Sequence, residues 1–304
     1  MSSWKQQKEA FVSDHNGGSL IELIAVAAVV PLCCGARLRL HDAKDSTTVK
    51  LAKDAGLLVA PIAASLTIGA DYMPAAFMVL AAVALALATQ RQQDRVQTQT
   101  QVIGLFRACQ AVFTGICILA VDFRAFPRRF CKTETYGYSL MDMGVGSFVV
   151  GNAMISRLVL ARRWRPKRIL PLVALGLARL VTVKASGYPE HVTEYGVHWN
   201  AFFTLAVVDL CDGLGCYLKL GPGGRLGAAG ALMALSRVGI DRAYVLSDAP
   251  RDSLFAANRE GLASAPGYAA LFFAAAAFFD FFLVRGLHPL DDYVLSLFHQ
   301  NLNK

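Results

Sequence analysis

The first of three polar stretches in this sequence combines a carboxylate with several cations at the end of an apolar segment. Asp122 closes that segment, and basic residues follow within ten positions, among them Arg128, Arg129 and Lys132. A carboxylate at the edge of hydrocarbon is costly unless it is paired or used, and Pro127 predicts a helix end, after which the chain can fold back toward Asp122. The pattern is compatible with an acid–base site, and also with an interfacial aspartate beside arginines that bind lipid phosphates.

The second polar stretch, residues 186–200, places three titratable side chains at intervals of three and four residues: His191, Glu194 and His198. On a helix they would share one face, as metal ligands or an acid–base cluster do. Glycine and proline within the stretch argue against a regular helix, and a structural zinc site requires a fourth ligand. We therefore expect no metal, and instead a polar pocket wall or a general base assisted by a neighbouring carboxylate.

The third polar stretch, residues 247–268, carries Asn258, Arg259 and Glu260 just before the last strongly apolar segment. The simplest interpretation is an interfacial segment with a capped helix start. Other polar residues interrupt the apolar segments themselves and should face a helix bundle or a wet cavity. These residues are Asp142, Asn152, Arg179, Asp209 and Asp212.

The composition of the 304 residues indicates which class of protein contains these three polar stretches. Hydrophobic residues make up 55% of the chain and charged residues 17%, with a mean hydropathy of +0.43, which excludes a water-soluble globular protein. The net charge of +8 is compatible with nucleic-acid binding, but most Lys and Arg residues lie in loops or at the edges of apolar segments. There they set membrane orientation and bind lipid phosphate, so we expect membrane lipid and no nucleic acid as a partner.

Apolar segments of about 15–22 residues alternate with short polar loops, and this length crosses the hydrocarbon core at ~1.5 Å per residue. The sequence therefore predicts an all-α fold, a polytopic transmembrane helix bundle of about nine spans that forms one integral membrane domain over residues 1–304. Seven spans are strongly apolar, whereas 169–183 and 226–240 are weaker because they contain arginine. The predicted spans are 19–36, 55–70, 74–90, 102–121, 140–161, 169–183, 199–218, 226–240 and 265–287.

The distribution of basic residues predicts the orientation of the bundle. If all nine segments cross, one side carries 14 Lys and Arg residues and the other 10. The run between Arg162 and Arg168 is short and concentrated, the form in which the positive-inside rule works best, so we place it in the cytosol. Residues 1–18 and all three polar stretches then lie on the lumenal side, the first span is an uncleaved anchor, and residues 288–304 form a short cytosolic tail.

Cysteine usage agrees with a membrane protein. Six of the seven cysteines lie inside apolar segments, where a thiol behaves as a small hydrophobic group. Only Cys131 lies in a polar stretch, so it is the one candidate for a reactive thiol.

Five motifs, in their order and spacing, resemble the family of GPI inositol acyltransferases, which modify glucosaminyl-phosphatidylinositol. The resemblance covers most of the chain to about residue 271. The longer motifs are unusual in composition, so the match is specific. The motifs are KEAFVSDHNGGSLIEL, APIAASLTI, LAVDFRAFPRRFCKTETYGYSLMDMGVGSF, GYPEHVTEYGVHWNAFFTLA and ANREGLASAPGY.

The resemblance implies an enzyme of the endoplasmic reticulum that transfers a fatty acyl group, usually palmitoyl, from acyl-CoA as co-substrate to the inositol ring of the GPI precursor, without a cofactor. In the family, the aspartate of the AVDF motif and the lysine after the RRF motif are regarded as the catalytic pair, and Asp122 and Lys132 match them. We expect Asp122 to be the base and Lys132 its electrostatic partner. The predicted substrate-binding residues are Arg128 and Arg129 for phosphate, Asn258 and Arg259 for the head group, and His191, Glu194, His198 and Asn200 for the head-group pocket.

Several alternatives stay open. Intramembrane charges such as Arg179 and Asp209 also suit a transporter or a lipid flippase. Members of the family are appreciably longer and carry more spans after the PGY motif, so an inactive, shortened member is a further interpretation. The base itself is either Asp122 or a histidine of the set His191 and His198.

Overall fold

The computed structural model describes residues 6–7, 10–11, 16–40, 44–72, 99–133, 137–156, 164, 166–186 and 192–281. Within these ranges the regular structure is helical, apart from one isolated bridge between Gly17 and Tyr138, and the all-α prediction is confirmed. The chain divides into two compact units, Met1–Ser147 and Phe148–Lys304. The predicted single membrane domain, with a lumenal segment at 1–18 and a cytosolic tail at 288–304, stays a prediction, and the tail lies outside the described residues.

Unit 1 contains two long helices with shorter elements between and after them. The long helices are α1 (Leu20–Arg39) and α4 (Gln99–Ala120). Between them lie α2 (Thr47–Asp54), a π-helical turn (Ala55–Val59), α3 (Ala60–Ser65) and a 3-10 turn (Ala70–Tyr72). A second 3-10 turn (Arg128–Phe130) follows α4, and the division between the units falls within α5 (Met143–Met154).

Helix α1 begins where a side chain satisfies one of its first free amides. The Ser19 hydroxyl accepts a hydrogen bond from the Glu22 amide at 3.2 Å, and a carboxylate such as Glu22 is favoured in the first turn by the helix dipole. The apolar face of α1 packs against α4, and Phe126 and Phe130 from the loop after α4 are buried in the same cluster. Their burial anchors the first polar stretch to the helices of unit 1.

Unit 2 is built from four long helices joined by short ones. The long helices are α6 (Ile169–Ser186), α8 (Ala201–Tyr217), α9 (Pro222–Val238) and α12 (Arg259–Phe279). A 3-10 turn (Pro166–Arg168) precedes α6. The short helices are α7 (Val192–Tyr195), α10 (Arg242–Val245) and α11 (Leu254–Ala257).

Close contacts hold the helices of unit 2 together. A Cβ added at Gly176 in α6 would lie 2.7 Å from the ring of Phe203 in α8, so a larger residue would displace this ring. Helix α9 packs along α12, and Arg225 is buried with Asp280 at 3.3 Å. Pairing of this kind avoids an isolated ion in hydrocarbon.

Four described helices are long and apolar enough to cross a membrane: Leu20–Leu38, Ile103–Ala120, Pro166–Ser186 and Arg259–Phe279. They agree with four predicted spans, including the weaker one at 169–183, and with a multi-pass helix bundle. The last helix begins six residues before the predicted 265–287, because Glu260 in its first turn forms an ion pair with Arg251 and Arg259 donates to backbone carbonyls.

The remaining predicted spans match the structure less closely. Segment 55–70 is divided between the π-helical turn and α3, and segment 140–161 is helical over Met143–Met154 within the described residues. Segments 199–218 and 226–240 correspond to α8 and α9, each 17 residues long. Segment 74–90 lies outside the described residues, so the count of nine spans stays a prediction.

Candidate functional site

The loop after α4 carries both residues of the predicted catalytic pair. Helix α4 ends at Ala120, seven residues before Pro127, and the chain continues in tight turns in which the Phe123 amide donates to the Ala120 carbonyl at 2.9 Å. Asp122 lies in this turn and is exposed. Pro127 therefore does not end the helix, but directly precedes the 3-10 turn that leads to Lys132, which is half-buried.

Arg128 folds this loop back toward Asp122. Its guanidinium donates to the carbonyls of Val121 and Phe123, each at 3.0 Å, which are the two residues that flank Asp122. It also donates to the Phe126 carbonyl at 2.9 Å and stacks over the Phe11 ring at 4.2 Å. Every nitrogen of Arg128 is thus engaged by backbone carbonyls, with which a lipid phosphate would have to compete. The predicted phosphate contact of Arg128 stays a prediction.

Arg129 joins the same loop to two other parts of unit 1. Its Nε donates to Glu22 in the first turn of α1 at 2.8 Å, and its Nη2 donates to Asp71 after α3 at 2.6 Å. Partial burial acts to lower the pKa of Arg129, but the hydrogen bonds and charges of Glu22 and Asp71 outweigh it and raise the pKa. The phosphate contact of Arg129 also stays a prediction. Sequence reasoning missed Glu22 and Asp71, although both lie at the ends of apolar segments, the signal that singled out Asp122.

The segment that carries Lys132 is held by the residues just before α5. The Phe130 carbonyl accepts hydrogen bonds from the Met141 amide at 3.2 Å and the Ser139 hydroxyl at 3.3 Å. The Thr133 hydroxyl donates to the Asp142 carboxylate at 2.7 Å. Lys132 lies between these two attachments.

Glycines near the N-terminus dock onto this loop. Gly17 has φ +79° and Gly137 has φ +140°, and a Cβ at either position would lie 2.2 or 2.3 Å from a backbone oxygen of the other segment. The Gly18 amide donates to the Tyr138 carbonyl at 2.8 Å. Only glycine fits this contact, which explains why the motif HNGGS accompanies the first polar stretch.

Cys131 does not have the properties of a reactive thiol. Its side chain is buried, and burial raises its pKa although the nearby Arg128 charge acts in the opposite direction. Because the thiolate is the reactive form, Cys131 is expected to pack as an apolar side chain.

In unit 2, the second polar stretch does not place Glu194 and His198 on one helix. Helix α7 is a single turn that ends at Tyr195, and Gly196 directly after it has φ +99°, so Glu194 and His198 do not share a helical face. Over the described residues 192–200 the prediction against a regular helix is confirmed, and His191 lies outside the described residues. The Val197 amide donates to the Ala257 carbonyl at 2.8 Å, which attaches this stretch to the third one.

Asn258 and Asn200 stabilise the polar loops of unit 2. The Asn258 side-chain oxygen accepts hydrogen bonds from the amides of His198 and Trp199, both at 2.9 Å. Asn200 caps α8 through the Phe202 amide at 3.0 Å, and its amide nitrogen donates to the Gly176 carbonyl at 3.0 Å. Both asparagines are buried, and their predicted substrate contacts stay predictions.

Arg259 lies at the centre of the third polar stretch. It is 1% exposed, donates to the carbonyls of Ala249 and Ser247 and stacks over Tyr244 at 5.2 Å. A guanidinium in this position organises the loop before α12 from inside. Its predicted contact with a lipid head group has no support in this geometry and stays a prediction.

Glu194, Tyr195 and His198 are the titratable residues of the second polar stretch between residues 192 and 200. All three are half-buried. Burial, followed by the charge of Glu194 and by Tyr268, raises the pKa of Tyr195 well above its ordinary value. His198 Nδ1 is buried and lacks a hydrogen-bond partner among the described residues. Within the described ranges no group of three or more His, Cys, Asp or Glu residues could hold a metal ion.

The helices and polar loops together define a multi-pass membrane protein with polar residues gathered at helix ends. The family model described as GWT1 matches residues 4–295, and the chain belongs to this family.

Three relatives illustrate the similarity. The Bos taurus protein named glucosaminyl-phosphatidylinositol-acyltransferase PIGW is 34% identical over 90% of this chain and 63% of its own length. The Homo sapiens protein of the same name is 34% identical, with the same coverage of 90% and 63%. GPI-anchored wall transfer protein 1 of Aspergillus oryzae is 34% identical over 91% of this chain and 65% of its own length. The chain thus spans less than two thirds of the length of these relatives.

Proposed function

We propose that this chain transfers a fatty acyl group, palmitoyl, from acyl-CoA to the inositol ring of glucosaminyl-phosphatidylinositol in GPI-anchor biosynthesis. Membership of the GWT1 family supports the proposal, as do the relatives named glucosaminyl-phosphatidylinositol-acyltransferase. We place the reaction in the endoplasmic reticulum membrane, with the polar loops on the lumenal side, because the concentrated basic run between Arg162 and Arg168 favours the cytosol.

The chemistry requires a base and a positive charge in one place. An inositol hydroxyl is a poor nucleophile near neutral pH, so its proton must be removed as it attacks the thioester carbonyl. The carbonyl oxygen becomes negative and requires a donor, whereas the CoA thiolate leaves without acid assistance. Asp122 is the proposed base. Lys132 is the proposed partner that orients Asp122 or stabilises the oxyanion, and no cofactor or metal is needed.

The observation that supports this proposal best is the set of hydrogen bonds that Arg128 donates to backbone carbonyls around Asp122. By donating to the carbonyls on both sides of Asp122, Arg128 returns the chain to the turn at the end of α4. Lys132 lies four residues after Arg128, within ~14 Å of extended chain. This bound keeps Lys132 in the same loop as the exposed Asp122 carboxylate, and in the proposed mechanism the lysine side chain extends toward that carboxylate.

Glu194 and His198 are the proposed head-group contacts in unit 2. The buried His198 Nδ1 supports this role, because a hydroxyl of the substrate would satisfy it. Asn200, Asn258 and Arg259 support the loops that present these residues.

The test expresses the chain in cells that lack inositol acylation and analyses the GPI precursor by mass spectrometry for an added acyl chain. Restoration is expected for the unaltered chain, whereas Asp122→Asn and Lys132→Ala should each abolish it at unchanged protein level. Matched controls are Asp252→Asn and Lys184→Ala, which alter exposed residues elsewhere and should retain activity. Near-normal activity of Asp122→Asn or Lys132→Ala would refute the assignment.

The rival base is tested in the same cells. His198→Ala should weaken glycolipid binding and raise the KM for the glycolipid. If it abolishes turnover as completely as Asp122→Asn while binding is unchanged, the base is His198.

A further inference from the structure

The residue after Lys132 is anchored by a carboxylate. The Thr133 hydroxyl donates to Asp142 Oδ2 at 2.7 Å, and the Thr133 amide lies 3.4 Å from the same oxygen. Both residues are half-buried. From the sequence, Asp142 was expected to be a polar residue within a membrane span. In the structure it lies just before α5 and contacts the loop after α4.

The residues before Lys132 are anchored to the same short segment. The Phe130 carbonyl accepts hydrogen bonds from the Met141 amide and from Ser139, which is 1% exposed. Phe130 itself is 2% exposed in the apolar cluster of unit 1. Lys132 is therefore flanked on both sides by attachments to residues 139–142.

We propose that Thr133 and Asp142 are positioning residues that hold the Lys132 backbone in the geometry required for acyl transfer. The inference rests on the proposed function, because it assigns the purpose of the attachment to the reaction of Lys132. A lysine ammonium sits on a flexible four-carbon stem, so its location depends on a fixed backbone. A displacement of ~1 Å in a reacting group costs up to ~100-fold in rate.

The experiment compares Thr133→Val, which keeps the shape but removes the hydroxyl, with Thr133→Ser, which keeps the hydroxyl. Both are measured in the full chain, in microsomes from cells that lack inositol acylation, with palmitoyl-CoA and a glucosaminyl-phosphatidylinositol analogue. Thr133→Val should lower kcat by roughly 10- to 100-fold with KM values within about twofold. Thr133→Ser should retain most of the activity.

Asp142 provides a second, independent pair of variants. Asp142→Asn keeps an oxygen that accepts from Thr133 and should retain activity, whereas Asp142→Leu should lower kcat as Thr133→Val does. In the double variant Thr133→Val/Asp142→Leu, kcat should be no lower than in the less active of the two single variants. Both substitutions remove the same hydrogen bond, so their effects should not add. If Thr133→Val fails to accumulate, the Asp142 pair decides.

Thr67→Val is the matched control. The Thr67 hydroxyl donates to the Ala63 carbonyl at 2.7 Å in the same unit, so its loss removes a bond of equal length away from Lys132. It should leave kcat unchanged.

Lys132→Ala in the same assay distinguishes a failure of the positioning role from a failure of the proposed function. Normal kcat in Thr133→Val and Asp142→Leu beside an inactive Lys132→Ala overturns the positioning role and leaves the proposed function intact. A rise in KM at unchanged kcat also overturns it. An active Lys132→Ala refutes the catalytic assignment on which the inference rests.

Discussion

Replacing Gly17 with alanine tests whether the segment before α1 must dock onto the loop of the predicted catalytic pair. Gly17 has φ +79°, and an added Cβ would lie 2.2 Å from the Tyr138 carbonyl oxygen. That distance is about 1 Å shorter than ordinary contact between such atoms. The two segments must therefore separate, which breaks the 2.8 Å hydrogen bond from the Gly18 amide to Tyr138.

The magnitude follows from two terms. A non-glycine residue in the left-handed region costs about 1–2 kcal/mol, and loss of the backbone hydrogen bond costs about 0.5–1.5 kcal/mol. Gly17→Ala should therefore destabilise unit 1 by roughly 2–3 kcal/mol. At about 2–4 °C per kcal/mol, the midpoint of thermal inactivation should fall by roughly 5–10 °C.

The assay is residual inositol acylation after heating detergent-solubilised protein, together with initial activity in microsomes. Gly35→Ala is the matched control, because a Cβ added at Gly35 in α1 would have no neighbour within 4 Å and alanine there favours the helix by about 1 kcal/mol. It should leave the midpoint equal or higher. A Gly17→Ala protein with unaltered midpoint and activity would refute the docking of this segment.

Two further predictions concern the same loop. Arg129→Ala leaves the mostly buried Glu22 carboxylate without its partner and should cost about 1–3 kcal/mol, measured by thermal inactivation. Arg124→Ala, an exposed change in the same loop, should cost nothing, and equal effects of the two changes would contradict the bridging role of Arg129. In a variant that retains Cys131 as its single cysteine, maleimide labelling at pH 7 should be slow, because burial raises the pKa of the Cys131 thiol and so reduces the thiolate fraction. The labelling rate should rise only at a higher pH than it does for an ordinary thiol. Rapid labelling of the folded protein at pH 7 would show that the thiol is accessible.

The long helices were predictable because length and hydropathy are local properties. Segments 19–36 and 102–121 correspond closely to α1 and α4, and the weaker segment 169–183 is a full candidate span. The end of α7 before Gly196 was predictable as well, since glycine acts on its own backbone. The start of α12 was placed too late, because Glu260 is acceptable there only through its contact with Arg251.

The roles of individual site residues were less predictable. Arg128 and Asn258 look from the sequence like ligand-binding side chains, yet both use their polar atoms on backbone groups. Thr133 carried no signal by itself, because its significance comes from the Asp142 carboxylate nine residues away. Residue type determines what a side chain can bind, but only the fold determines which partner lies within hydrogen-bond distance of it.

The sequence by itself determined that this protein is an all-α membrane protein, where its polar stretches lie and which family motifs they contain. The tertiary structure decided which polar side chains hold the loops and which are left exposed or half-buried. The physical reason is separation along the chain: Arg129 meets Glu22 across 107 positions and Asp71 across 58, and Asn258 meets His198 across 60. Hydrogen bonds at such separations depend on helix packing, which hydropathy and local spacing do not encode.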